Sequence, residues 1–266
     1  MTTAEFERDG SLVTVVLDGQ GQSAVDLDEP ARLEFEYVQH LALCIDALAA
    51  DGPLRVTHVG GAGLTLPRWV HHTRPGSPQI VLEPDAALTE AVRRELPLPR
   101  GHRIRVRPVD GATGIAGLRD GSADVVVVDA FAQGRIPADV GTLEWFREVA
   151  RVLAPGGLLL ANLADEPGMR HAARVVAGAR EALGHVAVVG LHEVLKGRRF
   201  GNLVLVGSAG AVDLYSLRRA AASAALPTGV LTADDVARKA PGARPFTAAD
   251  AEPSPEPPAR GAWRRR

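Results

Sequence analysis

Leu54-Arg55-Val56-Thr57-His58-Val59-Gly60-Gly61-Ala62-Gly63-Leu64-Thr65-Leu66-Pro67 is a short apolar run that breaks into glycines and then into a helical pattern. It reads as strand, loop, helix. Glycines at such a turn let the backbone take positive φ and let a ligand approach the main chain, while the first free N–H groups of the helix face it. The following stretch, Pro78-Gln79-Ile80-Val81-Leu82-Glu83-Pro84-Asp85, is a second short strand ending in an acid. Glu83 stands about twenty residues beyond the glycines, where the ribose hydroxyls of an adenine nucleoside are expected in dinucleotide-type folds.

Outward from this stretch the chain alternates. After strand 54–59 come a helix from Leu64, strand 79–82, helix 85–95, strand 103–107, a short helical piece at 112–118 and strand 124–128. Alternation of this kind predicts an α/β fold with a doubly wound, mostly parallel sheet. Asp124-Val125-Val126-Val127-Val128-Asp129 is a continuous β-branched run, the pattern of a strand buried on both faces. Ligands of open α/β sheets collect at the carboxyl ends of the strands, and Glu83, Asp110 and Asp129 all fall there. A helix over 139–153 stops at Ala154-Pro155-Gly156-Gly157 and leads into strand 158–162; a helix over 166–183 follows. Strands 185–191 and 203–206, joined through Lys196-Gly197-Arg198-Arg199, are expected as a closing antiparallel pair. Two helices are expected over 213–225 and 232–240.

Upstream, residues 11–18 and 22–27 predict a small β-hairpin around Gly19-Gln20-Gly21, and 31–50 predicts a helix with Leu33, Tyr37, Leu41, Cys44, Ile45 and Leu48 on one face. Downstream, Glu252-Pro253-Ser254-Pro255-Glu256-Pro257-Pro258 opens a Pro-rich tail that cannot build a core and is expected to be solvated and disordered to Arg264-Arg265-Arg266. The expected organisation is a hairpin unit over 1–30, a Rossmann-like domain over 31–249 and a tail over 250–266.

The 266 residues are 46% hydrophobic and 23% charged, a globular composition with enough length for one sizeable core. A formal net charge of -2 gives no electrostatic argument for nucleic acid or an anionic membrane, and neither partner is expected. The single cysteine, Cys44, lies in an apolar helical pattern and reads as a buried small hydrophobe, compatible with a reducing compartment. No apolar run reaches the roughly twenty residues that span a bilayer, so a cytoplasmic location is expected. The histidines show no zinc-ligand spacing, and no metal is expected.

The glycine loop, Glu83, Asp110-Gly111-Ala112, Asp129 and Pro155-Gly156-Gly157 occur in an order that resembles class I S-adenosylmethionine-dependent transferases. More narrowly, the chain resembles the spermidine synthase group of aminopropyltransferases, in its divergent bacterial branch. The hairpin with Asp18-Gly19 and Gln22, Glu36-Tyr37, Asp129-Ala130-Phe131 and the closing Pro245-Phe246-Thr247-Ala248-Ala249-Asp250 carry that likeness over residues 11–250. The resemblance implies that Gly60, Gly61 and Gly63 line the methionine-derived part of a donor nucleoside. It also implies that Glu83 holds the ribose hydroxyls, that Asp110 with the Gly111-Ala112 backbone meets the adenine, that Gln22 reaches the donor and that Tyr37 borders the acceptor channel. Asp129 would receive or steer the proton of an attacking amine. The donor would be S-adenosylmethionine or its decarboxylated form, the acceptor an amine, and the assembly a homodimer.

Three departures qualify the activity. Glycine, at Gly63, stands where the family loop carries Asp; Asp129-Ala130-Phe131-Ala132 lacks the family's second acid; and Tyr37-Val38-Gln39 lacks another. The nucleoside half of the site is intact and the diamine half eroded, because a doubly charged polyamine needs carboxylates to offset its lost hydration. Aminopropyl transfer is the leading expectation, with methyl transfer from the same pocket, or nucleoside binding without catalysis, as alternatives.

Overall fold

The computed structural model describes residues 4–17, 19–132 and 134–258. Asp18 and the basic end Arg264-Arg265-Arg266 lie outside the described residues.

A central eight-stranded sheet carries the molecule. Strands β4 (Val56–Val59), β5 (Gln79–Leu82), β6 (Ile104–Arg107), β7 (Ala123–Val128) and β8 (Leu153–Asp165) are mutually parallel, in the order β8-β7-β4-β5-β6. Beyond β8 the sheet continues through β10 (Gly201–Ser208), β9 (His185–Leu191) and β11 (Thr228–Thr232), each antiparallel to its neighbour. The expected doubly wound sheet and the β9–β10 pair are therefore present. The helices α1 (Glu36–Leu48), α2 (Thr65–Thr73) and α8 (Leu214–Ser223) share a core with one face, around Leu41, Ile45, Val70, Val127, Leu160 and Leu217. On the other face α4 (Gly111–Ala116), α5 (Leu143–Val152), α6 (Arg170–Leu183) and α9 (Ala233–Lys239) close over Val126, Leu159, Phe146, Val176 and Val236. Burial on both faces is what the Val125–Val128 run dictates: Val125, Val126, Val127 and Val128 are each at most 2% exposed.

A separate three-stranded antiparallel sheet, β1 (Glu5–Asp9), β2 (Leu12–Leu17) and β3 (Gln20–Asp26), packs with α3 (Ala86–Glu95) through Val13, Val15, Val25, Leu88 and Val92. The sequence suggested a hairpin only. The extra strand β1 is charged and mostly exposed, as edge strands commonly are, and so lacks an alternating apolar signal.

The first long helix starts at Glu36 rather than near residue 31. The buried Asp26 carboxylate accepts from the N–H groups of Asp28 and Glu29 and pairs with Arg32, which holds this stretch in a turn. The Ala154-Pro155-Gly156-Gly157 break lies inside β8, where the pairing with β7 jumps from Ala123↔Leu153 to Val125↔Leu158. Residues 251–258, expected as solvated tail, carry no helix or strand, yet Ser254 is fully buried and bonded to Ile136.

The glycine stretch at the end of β4 has no room for side chains at its first position. Gly60 has φ of 77°, and a Cβ there would stand 2.4 Å from the Asp129 carbonyl oxygen. Gly60→Ala is expected to lower stability by at least ~2 kcal/mol, read as a reduced urea midpoint with unchanged m-value. An unchanged midpoint would show that β4 and β7 separate readily at their carboxyl ends.

Candidate active site

The parallel strands end at one rim, and the chemistry collects where β7 meets β4. Asp129 follows β7 directly, its N–H donating to the Val59 carbonyl. Its carboxylate Oδ1 accepts from Asn162 Nδ2 at 2.9 Å, and Asn162 Oδ1 in turn accepts from Asn202 Nδ2 at 3.0 Å. The Tyr37 hydroxyl is directed at the same carboxylate. Four side chains from β7, β8, β10 and α1 thus form a polar row, with Asn162 only 1% exposed. Burial pushes the Asp129 carboxyl up to about 6, against the opposing pull of Asn162 and Tyr37. Burial and the adjacent Asp129 charge raise the Tyr37 phenol well above its usual range, so it stays a neutral donor.

Gly60, Gly61, Tyr37 and Asp129 line one narrow cleft of about 10 Å³ together with Ser23, His58 and Thr65. His58 is held neutral by burial, its pKa pushed down to about 4. Its Nε2 lies 2.9 Å from Gln79 Oε1, and Gln79 donates its own amide to the Pro67 carbonyl, so the imidazole is the donor to Gln79. The adjoining cavity is larger, about 320 Å³, and shares Tyr37. Gln20, Gln22 and Gly21 come to it from the turn before and the start of β3, Glu34, Phe35 and Glu36 from the entry to α1, Phe131 and Gly134 from the loop after β7, and Phe200 and Asn202 from the start of β10. Phe35 and Tyr37 stack with ring centroids 6.1 Å apart. Glu36 lies 3.4 Å from the Arg199 guanidinium and Glu34 3.7 Å from that of Arg32, so both carboxylates are already paired, and it is the ring faces that suit a cationic guest.

The remaining expected residues are placed as follows. Glu83, half-buried, accepts from the Asp85 N–H at 3.0 Å and draws on the Ala62 N–H of the glycine loop; burial raises its pKa. The loop stays tightly wound around it, with Ala62 and Leu64 both at positive φ. Asp110 caps α4, its Oδ1 accepting from the Thr113 N–H at 2.9 Å, and that bond holds its carboxyl below the usual range. Gly111 lets α4 sit on β4, since a Cβ there would come within 2.5 Å of Val59 Cγ1; Ala112 is exposed. Gly63 does not join the cleft of Gly60 and Gly61. It faces the N-terminal sheet, where a Cβ would lie 2.9 Å from Ser23 Oγ and 3.0 Å from Val15 Cγ2. The Gln39 amide is committed to the Leu33 carbonyl at 2.7 Å. Among the described residues no group of three His, Cys, Asp or Glu side chains is placed to hold a metal, and no helix is long and apolar enough to cross a membrane.

The sequence reading passed over Asn162, Asn202, Glu34 and Phe200. Asn162 had a usable signal, a lone amide ending the apolar run Leu158-Leu159-Leu160-Ala161. Asn202 had none until β10 was known to run beside β8.

A probable spermidine synthase from Corynebacterium glutamicum has the same fold over nearly its whole length: 32% identity, TM-score 0.84, and coverage of 92% of this chain and 93% of that one. The chain belongs to the spermidine synthase family. Human methyltransferase-like protein 13 in complex with SAH shares the fold at TM-score 0.58 and 19% identity, over 81% of this chain and 96% of that one. The polyamine aminopropyltransferase of Chromobacterium violaceum is 26% identical over 164 residues, 61% of this chain and 62% of the relative. The matched region therefore spans about three fifths of that relative's length. No family model matches the chain.

Two outcomes test this geometry. Restoring the family acid with Gly63→Asp is expected to cost ~3 kcal/mol or more, because the carboxylate would be driven into Ser23 and Val15; urea unfolding reads the loss. A tolerated Gly63→Asp would mean that the N-terminal sheet yields at this point. The second outcome concerns Asp129. Its folded pKa of about 6 lies above the ordinary 3.8, so the stability linked to its protonation is complete below pH 3.8 and lost as pH rises through 6. Compared with Asp129→Asn, whose amide does not titrate, the wild type should lose about 3 kcal/mol between pH 3.5 and 7.5 in paired urea titrations. A constant difference across that range would place the Asp129 pKa near its ordinary value.

Proposed function

We propose that the chain is an aminopropyltransferase, moving an aminopropyl group from decarboxylated S-adenosylmethionine to an amine. One observation carries this reading. Asp129, its pKa raised toward neutrality, lines the glycine cleft, and Tyr37, whose hydroxyl is directed at it, lines both that cleft and the adjoining cavity of Glu34, Glu36 and aromatic rings. The cleft side supplies main chain and Glu83 for the nucleoside: a carboxylate at the end of β5 can accept two ribose O–H bonds, and the loop backbone allows close approach. The Asp110 cap and the α4 amino-terminal residues lie at the end of the next strand, β6, in keeping with an adenine contact there.

The reaction is a displacement at carbon. The amine lone pair attacks the propyl carbon bonded to the sulfonium; the C–N bond forms, the C–S bond breaks, and its electron pair stays on sulfur as a neutral thioether. The nitrogen, now carrying an extra proton, gives it to the Asp129 carboxylate, whose pKa near the operating pH suits that exchange. Asn162 holds Asp129 oriented, and Asn202 holds Asn162. Neutral Gln39 and Ala132 stand at the family's acid positions, and Glu34 and Glu36 at the cavity wall are already paired with Arg32 and Arg199, which favours an acceptor carrying a single positive charge over a long polyamine. A second reading, methyl transfer from S-adenosylmethionine, draws on the neutral Gln39 and Ala132 at the family's acid positions, which leave less negative charge for a polyamine.

Purified protein incubated with decarboxylated S-adenosylmethionine and a panel of mono- and diamines is expected to release methylthioadenosine with the acceptor extended by three carbons. Asp129→Asn should lower kcat/KM by roughly 100-fold or more while donor affinity, measured by calorimetry, changes less than about threefold. Turnover with S-adenosylmethionine alone would move the assignment to methyl transfer.

A further inference from the structure

We propose that residues 252–257 are a positioning element of the amine cavity, fixing the loop that carries Phe131 and supplying Pro257 as wall, so that they set how tightly the acceptor is held. This rests on the reading of the 320 Å³ cavity as the acceptor's.

The observations begin with Ser254, which lies between two prolines in Glu252-Pro253-Ser254-Pro255-Glu256-Pro257 and is 0% exposed. Its hydroxyl accepts from the Ile136 N–H at 2.9 Å, and its own N–H donates to the Ile136 carbonyl at 3.1 Å. Arg135 donates from Nε to the Ser254 carbonyl and from its guanidinium terminus to the Pro253 carbonyl at 3.3 Å. On α6, His171 Nε2 lies 3.2 Å from the Glu252 carbonyl. A Pro-rich segment has little backbone freedom to lose, so few bonds suffice to seat it.

The seated segment grips the loop after β7 at its return. Within that loop Ala132 and Arg135 exchange backbone hydrogen bonds around a turn with Gly134 at φ of 75°. The turn lies beside both the N-terminal sheet and residues 252–257, here called the strap: a methyl at Gly134 would be in ordinary contact with each, 3.5 Å from Gln20 Oε1 and 3.7 Å from Pro257 Cγ. Phe131 and Gly134 on this loop, and Pro257 on the strap, all line the amine cavity. The donor cleft is lined by neither segment. The strap should therefore act on acceptor binding and leave donor binding alone.

The test compares the wild type with Ser254→Ala, Arg135→Ala and a chain ended after Ala251. Two readouts are taken: amide hydrogen exchange over 131–136, and steady-state kinetics with decarboxylated S-adenosylmethionine and putrescine. Exchange at Ile136 is expected to quicken by about tenfold or more, because its N–H loses a buried partner or the segment that shields it. Acceptor KM should rise about tenfold, with kcat and donor Kd changing less than about threefold. Exchange in β9 and β10 should be unchanged, which separates local loosening from global destabilisation. Arg135 is only partly buried, so Arg135→Ala keeps the test alive if Ser254→Ala fails to fold. An acceptor KM that ignores all three changes overturns the proposal. Absence of turnover by the wild type with every amine would instead overturn the acceptor reading, and this role with it.

Discussion

The hydrogen bond from Asn162 to Asp129 is the contact on which the site depends. A carboxylate at the end of a doubly covered strand is costly to bury without partners. The amide meets that cost only in part, leaving the group near neutrality rather than firmly ionised. A stronger partner such as a guanidinium would hold the carboxylate charged and unable to accept and return a proton at moderate pH. The choice of an amide, itself oriented by a second amide on β10, gives direction without a full opposing charge.

The rest of the architecture serves that row. Parallel β7 and β8 put Asp129 and Asn162 side by side, since Val128 pairs with Ala161 and the next residue of each strand is the one that matters. The antiparallel entry of β10 then brings Asn202, from a distant part of the chain, opposite Ala164 and within reach of Asn162. Gly60 lets β4 close against the Asp129 backbone. The N-terminal sheet covers the loop from outside, and its contact with Gly63 explains why an acid has no place there.

Much of this was legible in the sequence, and the reasons are physical. Local periodicity and turn residues located β4, β5, β7 and the helices between them, because a strand buried on both faces has few compositions open to it. Glu83, Asp110 and Asp129 could be read as strand-end acids for the same reason. What stayed hidden depends on pairing across the chain. β1 is too charged, and β11, with Gly229 in it and only Thr228 buried, too weakly patterned to announce themselves, and both are defined by their neighbours. Asn202 becomes meaningful only beside Asn162, and Ser254 only beside Ile136. Tail composition suggested solvent, whereas four hydrogen bonds joining Arg135 and Ile136 to Pro253 and Ser254 seat that segment. The surroundings of Gly63 could not be read from the motif, because motifs record sequence order and its neighbours Ser23 and Val15 come from a sheet packed from another part of the chain.

The separations of these contacts also say when the site can exist. Asn162 reaches back 33 residues to Asp129, Asn202 reaches back 40 to Asn162, and Arg135 waits for a partner 119 residues later. During synthesis the glycine loop and Asp129 emerge before the amides that orient the acid, and residues 252–257 follow well after them. Long-range closures of this kind form late because loop entropy must be overcome first. A growing or partly folded chain would therefore hold the glycine loop and Asp129 before it holds the amides that orient the acid, so the polar row is completed only when β10 joins the sheet.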